Sequence, residues 1–543
     1  MFKIFCECMF KSFLSSLRQK VSTLDSVSVA LLAILVLGAF LRMYEFDDWL
    51  RFSPDQARDA AITFDITRGK IPLLGPGAGG TEFRLGPVTH YFSFLSGSLF
   101  GFTPPSLAYP ELLFSILTLP LVFLLVSRLF GWKMGLLAAL LSAFSGFMIR
   151  YGRFQWNPNT LPFFTILFLL SAQAFFDREM KKRYMWAIAF GVALGVGVQL
   201  HTFLLVLLPL LTVILFGFLA FRRRLSYGMV ALSIAGALAL NIPQILSETR
   251  TNFSNTEAFI KGVSGETEST RSYSSRLGRD ALCHIRANAF ILSALGHSDH
   301  CDRFVSTVKK KAWQHPIDIA HAIAEILFTV GGFFLLGWFA WKETDERKRF
   351  LLVSVLLYSG LLFLLIVPVA NEIAMRYFLA SAFVPFVLLG AWGAFLFEKG
   401  NVFRVAFLVF CALLIVSNGW FLKKEYDFFR SGKVSDGDTA IWGETKPLAE
   451  FLSKNTAPGE TAYLIGMKSY RKRFHKGFAY PLHLEGKALL RWEDEGFPTG
   501  SGPVFLVRKK TKSFDEATEI DGRSILDRMT SGRVSVFLLR KGT

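Results

Sequence analysis

The chain has 543 residues, is 52% hydrophobic and 15% aromatic with 57 Phe, and has a mean hydropathy of +0.40, which excludes soluble folding for most of its length. A net charge of +18 and a pI near 9.7 would suit a nucleic-acid binder. Much of the basic excess, however, sits in short loops between hydrophobic runs, which is the pattern of membrane topology, so no nucleic-acid partner is expected.

In chain order, residues 1–26 form a basic leader with Lys3, Lys11, Arg18 and Lys20, and the first span follows from Val27 to Leu41. No small-residue cleavage site comes after it; Arg42-Met-Tyr-Glu-Phe does, so an uncleaved anchor with a cytoplasmic leader is expected. Runs of the length needed to cross a bilayer predict about eleven spans, near residues 27–43, 107–127, 134–150, 160–176, 184–200, 203–221, 227–246, 317–341, 350–368, 377–397 and 403–421. Alternate connections carry Arg128 and Lys133, Lys181-Lys-Arg183, Arg222-Arg-Arg224, Arg347-Lys-Arg349, and Lys399 with Arg404; the short connections between them, Gln199 to Phe203 and Val369 to Met375, carry no Lys or Arg. The positive-inside rule then places the N-terminus inside and the C-terminus outside.

Two segments fall outside in this reading, 44–106 and 247–316, followed by a tail at 422–543 that is distinct from the membrane region 27–421. His90 to Phe102 is apolar but short, which suits a helix at the interface. In the tail, Lys446 to Asn455 has helical apolar spacing, while Ala462 to Ile465, Val504 to Val507 and Val534 to Leu539 read as strands, giving a small extracytoplasmic α/β domain. It has no nucleotide-binding glycine motif and reads as an accessory that helps to place an acceptor. The fold class is therefore an all-α polytopic membrane protein with a small C-terminal α/β domain.

Cys6 and Cys8 fall in the leader and Cys411 in a span, so only Cys283 and Cys301 are placed to oxidise, and their disulfide is optional for the fold. Cys283, His284, His297, Asp299, His300, Cys301 and Asp302 resemble a metal-ligand cluster, but their spacing fits no standard zinc motif and the oxidising side favours a cysteine pair. Lys309-Lys-Lys311 reads as a lipid-headgroup contact or a solvated run.

Candidate chemistry gathers at the outer span ends. In Phe52-Ser-Pro-Asp-Gln-Ala-Arg-Asp59, Pro54 opens a helix that puts Asp55 and Asp59 on one face with Arg58 alongside, as a general base or a metal ligand requires; a helix cap would need the same residues without chemistry. Gly75-Pro-Gly-Ala-Gly-Gly80 lacks a Walker lysine and reads as a hinge, whereas Arg84 after it suits a lipid-linked phosphate. Arg150-Tyr-Gly-Arg-Phe-Gln-Trp-Asn-Pro-Asn159 offers Arg153 to an anion and Gln155, Asn157 and Asn159 to a sugar, or else an interfacial anchor. Gln199, His201, Glu372, Arg376 and Tyr377 complete a ring of polar groups.

The order of the Asp55 segment, Gly86-Pro87-Val-Thr-His-Tyr-Phe, Ser127-Arg-Leu-Phe-Gly131, Arg153-Phe-Gln-Trp-Asn-Pro and Arg376-Tyr377 resembles the GT-C-fold, lipid-dependent glycosyltransferases, close to the protein O-mannosyltransferase and aminoarabinose transferase superfamily. The resemblance covers roughly residues 20–421. It implies that Asp55 is the base in an inverting transfer from a polyprenyl-phosphate sugar donor to a glycan, lipid or protein acceptor, with Arg84, Arg153 and Arg376 on the lipid phosphate. Many members follow the first Asp with Glu, whereas here Gln56 intervenes and Asp59 is the second acid, which leaves metal dependence open, with a divalent cation as the one cofactor to consider. A lipid-saccharide transporter or flippase would place polar groups near the midplane in repeated halves; a polysaccharide ligase or polymerase would rely on a large later loop, and 247–316 keeps that alternative open.

Overall fold

The computed structural model describes residues 25–79, 81–177, 179, 182–264, 272–293, 316–431, 440–493, 497–511 and 517–540. Within them eight helices are long and apolar enough to cross a membrane: Ser26–Met43, Tyr109–Phe130, Asn157–Phe176, Arg183–Leu200, Thr202–Phe221, Ala320–Lys342, Glu346–Ala370 and Asn401–Arg430. Tyr227–Leu240 with Ile242–Arg250, and Met375–Ser381 with Val384–Glu398, are pairs bent by 60°, and the number rises to ten if each pair is one span. All the expected apolar stretches are helical; Trp132–Phe144 has 13 residues, fewer than the about 20 of an unbroken span, and continues past a break at Ser145 as Gly146–Tyr151. Val88–Phe100, of 13 residues and ended by Gly101, is too short to cross, in keeping with an interfacial element.

The short helix has a physical cause at each end. Gly131, at φ +88°, adopts a backbone conformation that other residues resist and turns the chain directly from Tyr109–Phe130 into Trp132–Phe144. At Ser145 the helix breaks and resumes as Gly146–Tyr151, freeing carbonyls in an apolar setting where water is scarce. Arg42, completely buried in Ser26–Met43, answers them: its NH1 donates to Ala143 O at 3.1 Å and Gly38 O at 3.0 Å, its NH2 to Ser142 O at 3.2 Å, and its Nε to Ser115 Oγ at 2.8 Å. On the other side of the break, Asn418 accepts from Gly146 N at 3.0 Å and donates to Leu292 O at 2.6 Å, and Ser145 Oγ donates to Ile291 O at 2.6 Å.

At one end of the bundle Arg222 and Arg224 share Glu346 at 2.8 and 2.7 Å, and Arg347 meets Asp177 at 3.2 Å. Three of the basic connections predicted to share one side of the membrane are thus neighbours. The other end carries helix Pro54–Asp65 and the C-terminal unit.

That unit holds a six-stranded sheet in the order β2-β1-β3-β6-β5-β4, with β1 Thr461–Gly466, β2 Ala488–Arg491, β3 Val504–Lys509, β4 Glu519–Ile520, β5 Arg523–Ser531 and β6 Val534–Leu539. β1 runs parallel to β2 and β3, and the remaining pairs are antiparallel. Helices Trp442–Lys454 and Lys468–Leu484 bury Leu448, Leu452, Phe474 and Phe478 in one core with Leu464, Phe505 and Val536. The helix and the three strands read from sequence are all present.

Arg42→Met should remove the only side-chain donors given to the Ser142 and Ala143 carbonyls among the described residues. Each carbonyl left unpaired costs about 1–3 kcal/mol. The expected result is a clear drop in the apparent Tm of the protein in nanodiscs, whereas Lys423→Met, on an exposed surface pair, should change stability by no more than about 0.5 kcal/mol and leave Tm close to that of wild type.

Candidate active site

Helix Pro54–Asp65 starts at a proline, and Gln56, itself buried, accepts from the Ser53 backbone N–H at 3.1 Å. Gln56 is therefore a cap, a task that Gln and Glu perform equally well, and this gives a structural reason for glutamine where a second acid would be expected. In the first turn, the Asp55 side chain is 65% exposed and takes Arg58 NH1 on Oδ1 at 3.1 Å, while Arg58 Nε reaches Asp59 Oδ1 at 2.8 Å. Burial opposes the charge on Arg58, but the hydrogen bond and charge of Asp59, joined by Asp55, hold its guanidinium above its ordinary value. The two carboxylates share one helix face, as the spacing predicts, with a guanidinium between them. Among the described residues no group of three His, Cys, Asp or Glu is arranged to hold a metal ion, so this carboxylate pair does not fit a divalent-cation site by itself.

Arg51 connects Asp55 to residues from far along the chain. Arg51 lies over the Phe154 ring at 5.3 Å, donates to Ser53 Oγ at 3.3 Å, and is within electrostatic reach of Asp55, Arg376, Arg150 and Tyr151. Arg376, exposed, lies 5.6 Å from the Tyr377 ring centre, and that ring stands edge-on to His201 at 5.9 Å. His201 closes the junction between Arg183–Leu200 and Thr202–Phe221: its Nδ1 accepts from Phe203 N at 3.2 Å. Burial, reinforced by the positive charge of Arg376, pushes its imidazole down to about 4.

A second group faces Asp59. Arg84 donates from Nε to Gly75 O at 3.0 Å, and its backbone is pinned from both sides by the Asn255 amide, at 2.8 and 3.0 Å. Buried His90 has Nδ1 3.4 Å from Thr63 Oγ1, lies within electrostatic reach of Asp59, Arg84 and Arg58, and leaves Nε2 buried without a hydrogen-bond partner. Burial holds His90 below its ordinary value.

The structure thus gathers Asp55, Arg58, Asp59, Arg84, His201, Arg376 and Tyr377 and adds Arg51 and His90. Arg51 directly precedes the Phe52-Ser-Pro-Asp run, and His90 stands within Gly86-Pro-Val-Thr-His, so both had a positional signal but no chemical pattern. Other expected ligands have architectural partners. Arg153, buried, donates to Arg42 O at 3.0 Å and Glu45 O at 2.9 Å and lies over Phe46 at 5.7 Å, which makes it an anchor for the exit of the first span rather than a phosphate ligand. Asn157 donates to Leu200 O at 2.7 Å, Asn159 to Phe154 O at 2.7 Å, and Gln155 to Ser93 Oγ at 2.9 Å. Gln199, fully buried, accepts from Val88 N and donates to Gly195 O and Leu240 O. These amides hold helix ends together instead of facing a sugar.

Glu372 ends the short helix Val367–Glu372, and its side chain lies outside the described residues. Of the cysteine and histidine cluster, only buried Cys283 and His284, which contacts Asp280 at 3.1 Å, are described; His297, Asp299, His300, Cys301 and Asp302 lie outside, as do the leader, with Cys6 and Cys8, and Lys309-Lys-Lys311.

Residues 85–246 match the sequence profile of the dolichyl-phosphate-mannose-protein mannosyltransferase family. Among solved structures, the chain is similar to the apo oligosaccharyltransferase of Archaeoglobus fulgidus, with 15% identity and a TM-score of 0.51 over 86% of this chain and 64% of that one. It is also similar to apo ArnT from Cupriavidus metallidurans, with 14% identity and a TM-score of 0.46 over 95% and 98% of the two chains. A sequence comparison with curated proteins finds no match. The fold is the GT-C fold, and the family match within it is of the mannosyltransferase type.

Because His201 binds its proton less readily folded than unfolded, it contributes stability that is complete above its unfolded value and is lost as pH falls from about 6.5 towards about 4. His201→Asn keeps an acceptor for Phe203 N but does not titrate. Thermal unfolding in nanodiscs across that window should show a shallower acid loss for His201→Asn than for wild type.

Proposed function

We propose that this protein is a membrane glycosyltransferase that moves a sugar from a polyprenyl-phosphate donor to a hydroxyl or amine of a glycan, lipid or protein acceptor, with Asp55 as the base. The observation that carries this reading is an exposed carboxylate at a helix start, oriented by Arg58 and within electrostatic reach of Arg51, which in turn lies within reach of Arg376 from far along the chain. The family matched by residues 85–246 is described by a dolichyl-phosphate-mannose donor and a protein acceptor, which supports the same donor class here.

In the reaction, the acceptor gives its proton to the Asp55 carboxylate as its oxygen or nitrogen bonds to the anomeric carbon from the face opposite the phosphate. The carbon–oxygen bond to the phosphate breaks, and the lipid phosphate keeps the electron pair. Such a direct displacement inverts the anomeric centre. Arg376 and Arg51 are placed to take up the charge that grows on the leaving phosphate, and Arg84 to hold the same group from the Asp59 side. Arg58 fixes the carboxylate through Oδ1, leaving Oδ2 for the proton.

A polyprenyl chain stays in the bilayer while a polar acceptor approaches from water, and a site at the ends of the spans lets the two meet. We place the protein in the inner or plasma membrane with this end outside, on the strength of the basic loops gathered at the opposite end. Against a transporter, buried Gln199, Arg42 and Asn418 bind backbone carbonyls across helix contacts rather than lining a substrate path.

Asp55→Asn should reduce transfer from a polyprenyl-phosphate sugar in reconstituted membranes by at least about 100-fold, the usual scale for a lost general base, without loss of folded protein. Full activity in that variant would remove the assignment. Arg376→Ala should act mainly on donor use, raising the donor concentration for half-maximal rate; an unchanged donor titration would make Arg376 structural.

A further inference from the structure

Helix Pro54–Asp65, which carries Asp55 and Asp59, is attached to the C-terminal unit at both of its ends. At its start, the segment leading into Ser53 pairs with the chain entering helix Trp442–Lys454: Phe52 N donates to Ala440 O at 2.8 Å, Trp442 N to Leu50 O at 2.8 Å, and Gly443 N to Asp48 O at 3.0 Å, with Arg51 opposite Ile441 as an antiparallel bridge. Phe52 is sealed between Trp442, 5.2 Å away and edge-on, and Tyr480 at 5.8 Å. At the far end of the helix, His483 Nε2 lies 2.9 Å from Asp65 Oδ1, and Arg68 NH2 donates to His483 O at 3.0 Å. Between these ends, Ala57 and Ala60 pack in one apolar cluster with Phe52, Trp442 and Tyr480.

From this geometry we infer that the C-terminal unit is a clamp that sets the position of the Asp55 helix, with Gly443 and His483 as positioning residues at its two ends. The inference rests on Asp55 as the base. The helix has only 12 residues and packs by Ala57 and Ala60 against Leu107, Ala108 and Leu112 on one side, while both of its ends are held by the C-terminal unit. The clamp adds the rigidity that a general base needs, since small displacements of a reacting group cost large factors in rate. Gly443 is required by space: a Cβ there would stand 2.6 Å from Asp48 O, so even alanine must push the seam apart. His483 joins through its ring to a carboxylate held below its ordinary range: burial of Asp65 acts the other way, but hydrogen bonds from His483 and Lys70 prevail. This use differs from an acceptor-placing accessory, because residues 440–443 and His483 meet the helix at its two ends, and Tyr480 adds a bond to the carbonyl of Phe102.

The test uses the full-length protein in nanodiscs with a polyprenyl-phosphate sugar donor, comparing wild type, Gly443→Ala, His483→Ala and His483→Gln, and following both steady-state rates and amide hydrogen exchange. Gly443→Ala and His483→Ala should each lower kcat about tenfold with donor KM changed by less than about twofold, the split expected when a catalytic group is misplaced and binding is not. Exchange should rise over residues 54–65 while the membrane helices stay protected. His483→Gln, which retains a donor opposite Asp65, should recover part of kcat, and Lys472→Ala on the exposed face of the same unit should behave as wild type. The clamp is overturned if kcat stays within about twofold of wild type in both alanine variants, or if exchange rises throughout the protein rather than over the helix. Should one alanine variant fail to accumulate as folded protein, the other decides the matter by the same two readouts. Should both fail, His483→Asn, whose shorter amide withdraws from Asp65, takes their place, local exchange with lowered kcat supporting the clamp and wild-type values in both overturning it. An active Asp55→Asn enzyme would instead defeat the underlying functional reading, so the two failures are separable.

Discussion

Wherever a helix stops or bends inside an apolar bundle, its last carbonyls need donors that water does not provide, and this requirement organises the protein. Arg42 satisfies it at the Ser145 break, Asn418 and Ser145 itself complete the repair, and Gln199 performs the same service where Arg183–Leu200 meets Tyr227–Leu240 and Val88. Arg153 then extends the network by binding Arg42 O and Glu45 O, which fixes how the chain leaves its first span. That exit leads directly into residues 48–52, which the chain at 440–443 then pairs with before the Asp55 helix begins.

Two kinds of polar residue therefore coexist near the span ends. One kind is buried and bound to backbone atoms; the other, Asp55, Arg58 and Arg376, is accessible at its side chains. In the proposed function, the cations of this second set complement the phosphate of the donor. His201 belongs partly to each: it caps a helix through Nδ1 while its ring faces Tyr377 and feels Arg376.

Apolar runs of full length, the Gly-bounded strands such as Val534–Leu539, and the helix opened by Pro54 were legible in the sequence because length, period and a proline at a helix start are local properties. Asp55 and Asp59 on one face with Arg58 followed from the same kind of rule. The roles of Arg153, Asn157 and Gln199 were not legible as architecture, since polarity at a span end reads alike whether the partner is a sugar or a carbonyl on another helix. Only the three-dimensional position of the Ser145 break shows why Arg42 is needed in the first span. Arg51 was passed over because a single arginine beside a motif has no period or spacing to mark it, and its meaning comes from Arg376 arriving from far along the chain. The break at Ser145 is not legible because the apolar run continues through it from Trp132–Phe144 into Gly146–Tyr151.

The pairing of residues 48–52 with 440–443 has a consequence for biosynthesis. The helix that bears the proposed base follows the first span, yet the segment that seats it and the histidine that ties its far end come after the last one. The two must therefore find each other after all the spans between them have been inserted. Under the proposed function, a chain still being inserted would meet a lipid donor in the bilayer before it could use it, and transfer would begin only once residues 440–483 had joined the helix.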